Sequence, residues 1–289
     1  MIELTMYGYV AIMVASIIWS LVPALISRIK EFVRPFIFTS LRATFATIAL
    51  LPMLVLSGVR MSLLDLPVLS LAVVSGILGP GLGDAFYAKA IQSMGASLAV
   101  ILSYTYIFIA QFMSVLILGE SLRTTLIFGS LLAFTGVVVA LSSNNSVSKL
   151  NVRGVLSSFI AALSWSSGAV IIKLTLDYVD ILTLTIYRLA STALVFTALG
   201  YVLERSLGKE AVVPVVTISA ITGVLGFGIG AYLFAYSISS LGVSATAMAT
   251  ALTPVLSQVT TKLLSRERPT LKNFAGALLT SCGIVISTT

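Results

Sequence analysis

The sequence predicts an all-α integral membrane protein, with ten transmembrane helices arranged as two inverted five-helix repeats. Three observations predict it. Of the 289 residues, 58% are hydrophobic and 9% charged, against about 25% charged in a soluble domain. Uncharged apolar runs recur along the whole chain, each near the roughly 20 residues that a spanning helix needs. The chain also repeats itself at a near-constant shift. Together these exclude a soluble enzyme, a disordered chain and a disulfide scaffold.

The apolar runs place helices at 4–27, 35–57, 66–91, 96–118 and 124–142 in the first half. The second half follows with 154–174, 181–203, 213–239, 244–264 and 272–288. Ser239-Ser240-Leu241-Gly242 supplies the turn that divides the long run 211–261 into two spans. Met1-Ile2-Glu3 has no positive n-region, so the first run reads as a span and not as a signal peptide. Little chain is left for an extramembrane domain, so any chemistry belongs inside the bundle or at its mouths.

Residues 76–142, shifted by 147, align without gaps on 223–289, with 18 of 67 positions identical. All seven glycines of the later stretch fall on glycines of the earlier one: Gly76/Gly223, Gly79/Gly226, Gly81/Gly228, Gly83/Gly230, Gly95/Gly242, Gly129/Gly276 and Gly136/Gly283. Gln111 matches Gln258 and Glu120 matches Glu267. Upstream, at a shift of 146, Trp19-Ser20 matches Trp165-Ser166 and Arg42 matches Arg188. Shared apolar composition scatters Leu and Val matches but does not align every glycine, so this is a duplication. The units are 1–142 and 152–289, joined by the polar linker 143–151. Five spans per unit is an odd number, so the second unit enters the membrane from the opposite side.

The loops after the odd-numbered helices carry eleven basic residues: Arg28, Lys30, Arg34, Lys149, Arg153, Arg205, Lys209, Lys262, Arg266, Arg268 and Lys272. The other side has Arg60, Arg123 and Lys173. The positive-inside rule then puts the basic side in the cytoplasm of a multi-pass cell-membrane protein, with both termini outside. The same loop placement makes the net charge of +7 a matter of orientation and not of nucleic-acid binding.

There is no histidine, which removes Ser-His triads, HExxH zinc sites and histidine proton relays. The single cysteine, Cys282, forms no intramolecular disulfide and reads as a small buried hydrophobe. No ATP-binding motif, metal site or cofactor fingerprint is present. The expected partners are a small-molecule substrate and the lipid bilayer, for a monomer or homodimer.

A Trp in helices 1 and 6, an Arg early in helices 2 and 7, glycine-rich helices 3 and 8 and a Glu closing helices 4 and 9 resemble the drug/metabolite transporter superfamily, EamA type. The resemblance covers nearly the whole chain. It implies a basket-like bundle in which helices 1, 3, 4, 6, 8 and 9 surround a central cavity. Helices 2 and 7 would move with them, and 5 and 10 would pack at the periphery. Members of the superfamily move amino acids, sugars, nucleotide-linked metabolites or drugs. Inverted repeats lead to the same class on physical grounds, because two mirror-related halves can exchange inward and outward conformations.

Four charges lie inside spans: Arg42, Asp84, Lys89 and Arg188. Asp84 is 18 residues into the run 66–91, and its repeat mate is Ala231. A carboxylate at that depth is a functional candidate, for proton coupling or for a structural pair with a cation. Lys89 is five residues on, about 140° around the helix, so it does not share a face with Asp84. It either snorkels or attracts a substrate anion. Arg42 and Arg188 each sit roughly 10 Å inside their helices. They either bond helix ends or gate the two mouths of the cavity.

The glycine stretches hold Gly79/Gly83 and Gly226/Gly230 at GxxxG spacing, which lets helices approach closely. Together with Pro80 they could instead loosen helices 3 and 8 and free backbone carbonyls beside the cavity. Pro23 and Pro254 are further candidate kinks. Trp19, Trp165, Tyr87, Tyr104, Tyr106, Tyr232, Tyr236, Gln111 and Gln258 are candidates for an aromatic, hydrogen-bonding cavity wall. Glu120 and Glu267 are expected to cap the helix that follows each. Gly81-Leu82-Gly83-Asp84 also matches the GxGD motif of intramembrane aspartyl proteases, whose chemistry needs two carboxylates sharing a proton. The other aspartates, Asp65, Asp177 and Asp180, fall near loops. The sequence therefore points to a secondary transporter, with export of a small amphipathic metabolite such as an amino acid as the leading expectation. An exchanger of phosphorylated or nucleotide-linked solutes and a multidrug exporter are the alternatives.

Overall fold

The computed structural model describes residues 2–59, 61, 63–119, 124–142, 150–204, 206–265 and 267–286. Among these the chain forms ten helical rods and no strand. The first half supplies α1 (Ile2–Arg28), α2 (Pro35–Ser57), α3 (Leu66–Met94), α4 (Ala96–Leu118) and α5 (Thr124–Leu141). The second half supplies α6 (Val152–Thr175), α7 (Ile181–Leu203), α8 (Lys209–Leu241), α9 in two pieces (Val243–Ala249 and Leu252–Leu264) and α10 (Leu271–Ile286). Seven rods, α1 to α4 and α6 to α8, are long and apolar enough to cross a membrane by length and composition. Their outer faces carry bare apolar side chains: Leu56 and Tyr201 are 86% and 88% exposed, which water would not tolerate across a whole belt and lipid does.

The duplication shows in the irregularities as well as in the helices. Both α3 and α8 widen into π-turns at the glycine stretches, Ile77–Gly83 and Gly223–Gly230. Pro80 lies inside the first of these and lacks an N–H for the helical ladder. Its mate in the second stretch is Phe227, so proline is not the shared cause of the widening. Both α4 and α9 break within one residue of matching points, at Tyr104-Thr105 and Thr250-Ala251. Pro254 sits just beyond the second break, and Ile107 just beyond the first, so the break again does not depend on proline. Pro23 leaves α1 continuous. The tight corners joining α3 to α4 and α8 to α9 are Gly95 and Gly242, with φ of 86° and 84°. Only glycine adopts that backbone without strain.

The two halves interdigitate. α1 packs on α8 and α9, and its mate α6 packs on α3 and α4. α2 packs on α7, and α5 on α10. The α5–α10 pair is close because glycines face backbone there: a Cβ on Gly276 would lie 2.5 Å from the Gly136 carbonyl oxygen. Cys282 lies off that contact face and is exposed, against the buried position expected of it. Some hydroxyls inside the bundle bond within their own helices, as where Thr44, Thr47, Thr175 and Thr185 donate to the carbonyl four residues earlier.

Asp180 caps α7, its carboxylate accepting from the Thr183 N–H at 2.9 Å. Replacing it with alanine should cost about 1 kcal/mol, and asparagine should restore most of the loss. Thermal unfolding of the three proteins in one detergent checks this; equal midpoints for Asp180→Ala and the wild type would show that the cap contributes nothing.

Candidate functional site

A cavity of about 110 Å³ lies where the halves meet. Twelve of its sixteen lining residues form six repeat pairs: Trp19/Trp165, Arg42/Arg188, Gly79/Gly226, Pro80/Phe227, Asp84/Ala231 and Tyr87/Phe234. The rest are Val22, Tyr104, Tyr106 and Ala169. The cavity therefore straddles the axis that relates the two repeats.

Each half sends its Trp and Arg into the other half's glycine stretch. A Cβ on Gly230 would come within 2.6 Å of Trp19 Nε1, and one on Gly83 within 2.3 Å of Trp165 Cδ1. Gly226 and Gly79 lie under the guanidiniums of Arg42 and Arg188, at 3.4 and 3.0 Å from a hypothetical Cβ. Within the two glycine stretches, the closest approaches to another helix's backbone are made by Gly76 and Gly223, which lie against Arg188 and Arg42, more than by the GxxxG pairs alone. The glycines are thus small because an indole or a neighbouring helix fills the place of a side chain. The loosened carbonyls bond protein groups: Trp19 Nε1 donates to Gly226 O at 2.9 Å, and Thr192 Oγ1 to Gly76 O at 2.8 Å.

In charge, the pseudo-symmetry of the lining breaks at one pair, Asp84/Ala231. Asp84 accepts from Arg42 Nη1 at 2.7 Å and from Trp165 Nε1 at 3.1 Å. Arg42 is 2% exposed, and its guanidinium lies 3.9 Å from the centroid of Phe227. On the other side Trp19, with no carboxylate on its neighbour, turns to a carbonyl instead. Arg188 donates from Nε to Ser75 Oγ at 2.7 Å. One wall is aromatic, with the rings of Tyr87, Tyr104 and Tyr106 within 5.1–6.1 Å of Trp165. Trp19 stacks on Phe234 at 5.4 Å.

Several expected wall residues lie elsewhere. Lys89 sits off the cavity, its ammonium 4.4 and 4.6 Å from the ring centroids of Phe36 and Phe86. Tyr232 and Tyr236 are not in the lining, because π-turned α8 presents Ala231 and Phe234 there. Gln111 and Gln258 are buried away from it. Gln258 instead accepts from the Ser97 hydroxyl across the interface between halves. Glu267 caps α4 of the first half and not the helix after itself. It takes the Ala96 N–H at 2.8 Å and the Ser27 hydroxyl at 2.5 Å. Glu120 lies outside the described residues. Neither α9 nor α10 lines the cavity, whereas α2 and α7 each supply an arginine.

Phe227 and Phe234 were not candidates from the sequence. The repeat map could have found them, as the mates of Pro80 and Tyr87.

The sequence profile of the EamA-like transporter family matches residues 6–142 and again 152–289. The chain belongs to the EamA-like transporter family. Among relatives, this EamA-like transporter is similar to the uncharacterized transporter YoaV of Bacillus subtilis (strain 168), 23% identical over 256 residues, 88% of this chain and 87% of YoaV. It is also similar to the uncharacterized transporter YvbV of the same organism, 28% identical over 172 residues, 60% of this chain and 56% of YvbV. A crystal structure shares the fold, with a TM-score of 0.76 at 22% identity, covering 99% of this chain and 96% of the other. The EamA-like chain is thus a multi-pass membrane transporter.

Proposed function

We propose that this transporter exports a small amphipathic metabolite, on the scale of an amino acid, by alternating access, with proton coupling through Asp84. The observation that carries this is the cavity itself, walled by repeat mates and made asymmetric at Asp84/Ala231. Two similar halves can exchange their roles at the two membrane faces. A carboxylate held by Arg42 and Trp165 is the group in the cavity able to take up and release a proton. The volume, about 110 Å³, is below the roughly 150 Å³ of a cavity that holds benzene. That favours a compact solute over a nucleotide-linked one in this conformation. The GxGD protease reading finds no support, since Asp84 is the one acid in the lining and its partners are a cation and an indole. The eleven basic residues of one side favour placing that side in the cytoplasm.

The test is a thermal-stability screen of the purified protein against amino acids and similar metabolites, since a bound ligand raises the melting temperature. Hits are then followed in proteoliposomes under a proton gradient. Asp84→Asn is expected to equilibrate the solute downhill without accumulating it. Accumulation at the wild-type level would remove Asp84 from the coupling step.

A further inference from the structure

Arg188 differs from its repeat mate in one respect. Arg42 has Asp84 as counter-ion at 2.7 Å. Arg188 is 4% exposed, borders the cavity, and has no carboxylate within salt-bridge distance among the described residues. Its Nε is taken by Ser75, but its two terminal nitrogens have no hydrogen-bond partner among the described residues. One of them overhangs Gly79, where a Cβ would lie 3.0 Å away. Arginine stays protonated in proteins and presents a fork matched to a carboxylate or phosphate. A buried guanidinium without an anion is costly.

The duplication shows where the missing anion belongs. The relation that carries Arg42 onto Arg188 carries Asp84 onto Ala231, and both members of that second pair line the cavity. The first half therefore holds an arginine with its carboxylate, and the second holds an arginine with a methyl group in the carboxylate's place. The cavity has two cations and one anion, a net positive charge facing a compact space with aromatic walls.

We infer that the open fork of Arg188, beside Ala231, seats the carboxylate of the transported solute, which is therefore a small organic acid or zwitterion with an apolar body. This rests on the transport reading above and names the substrate's chemical class. A bound carboxylate would complete the second half as Asp84 completes the first. Asp84 itself is left free of substrate contact and available for the proton.

The probes are matched carboxylates and amides: acetate and butyrate against acetamide and butyramide, with methyl phosphate as the phosphate counterpart. Binding to the purified protein is read by thermal shift and calorimetry. The carboxylates are expected to stabilise the wild type and the amides not. Ala231→Asp supplies the anion internally and should weaken carboxylate binding by about tenfold to a hundredfold, the worth of a charged hydrogen bond, without lowering the melting temperature. Arg188→Gln should weaken it to the same degree. If one variant fails to fold, the other decides, because Ala231→Asp leaves the arginine in place. Carboxylates binding no better than amides, or binding both variants as tightly as the wild type, would overturn the seat. A response to methyl phosphate alone would overturn the carboxylate assignment. Because the readout is binding, absence of solute movement in proteoliposomes would count against the transport reading and leave this one standing.

Discussion

Asp84→Ala is expected to lower the stability of the detergent-solubilised protein by about 3–5 kcal/mol, the usual cost of removing one partner of a buried ion pair. The loss arises on the arginine. Arg42 is 2% exposed and lies against Phe38 and Phe227, so the guanidinium loses its counter-ion in a largely apolar setting. Trp165 Nε1 loses its acceptor in the same step. The reverse variant, Arg42→Met, should cost less. A stranded carboxyl can neutralise itself with a proton and a stranded guanidinium cannot, and the aromatic seat of the guanidinium accepts a thioether. Joining the two changes should recover much of the stability, because burying an ion pair is itself expensive and an apolar replacement is often neutral. Transport should not recover. Chemical or thermal unfolding of the four proteins gives the coupling energy directly. An unchanged midpoint for Asp84→Ala would show that the pair is not closed as described.

Gly76→Ala and Gly223→Ala form the second test. A Cβ at Gly76 would lie 2.3 Å from the Arg188 carbonyl oxygen, and one at Gly223 would lie 2.5 Å from the Arg42 carbonyl oxygen. Both obstacles are backbone and cannot rotate aside. α3 must retreat from α7, or α8 from α2, at an overpacking cost of about 1–3 kcal/mol. The same displacement moves an arginine of the cavity, so binding should weaken along with stability. Gly208 is the control: nothing lies within 4 Å of its Cβ position, and Gly208→Ala should stay within about 0.5 kcal/mol of the wild type. Unfolding midpoints of the three variants decide; Gly76→Ala as stable as Gly208→Ala would mean that these helices do not touch.

The membrane helices were legible because their cause is local. Each apolar run must satisfy its own backbone in lipid, so composition and length are enough to place it. The predicted run 181–203 and α7 coincide, as do 35–57 and α2. The duplication was legible for a related reason: glycines at fixed spacing persist through changes in the apolar residues around them. The breaks in α4 and α9 illustrate the limit. Pro254 drew attention to one of them, but Tyr104-Thr105 breaks without a proline. What the two share is their place in the repeat.

The site was legible in its charges and only partly in its walls. Trp19, Arg42, Asp84, Tyr87, Tyr104, Trp165 and Arg188 meet at one cavity. Lys89, Tyr232 and Tyr236 do not, because which face of a π-turned helix points inward is set by its neighbours and not by simple helical phase. Glu267 shows the same division. Its residue type announced a cap, while the helix it caps belongs to the other half of the chain.

The sequence by itself determined that this protein lives in a membrane, that it is built twice, and which four charges interrupt the apolar majority. Those properties follow from transfer free energy and from the pattern of small residues, both of which are written locally. Only the tertiary structure decided how the charges are used. It closed Asp84 on Arg42, turned Lys89 away onto two phenyl rings, and left Arg188 facing a cavity with Ala231 where a carboxylate would complete the symmetry. Pairing of charges depends on distance across the interface between the halves, and no local pattern carries that distance.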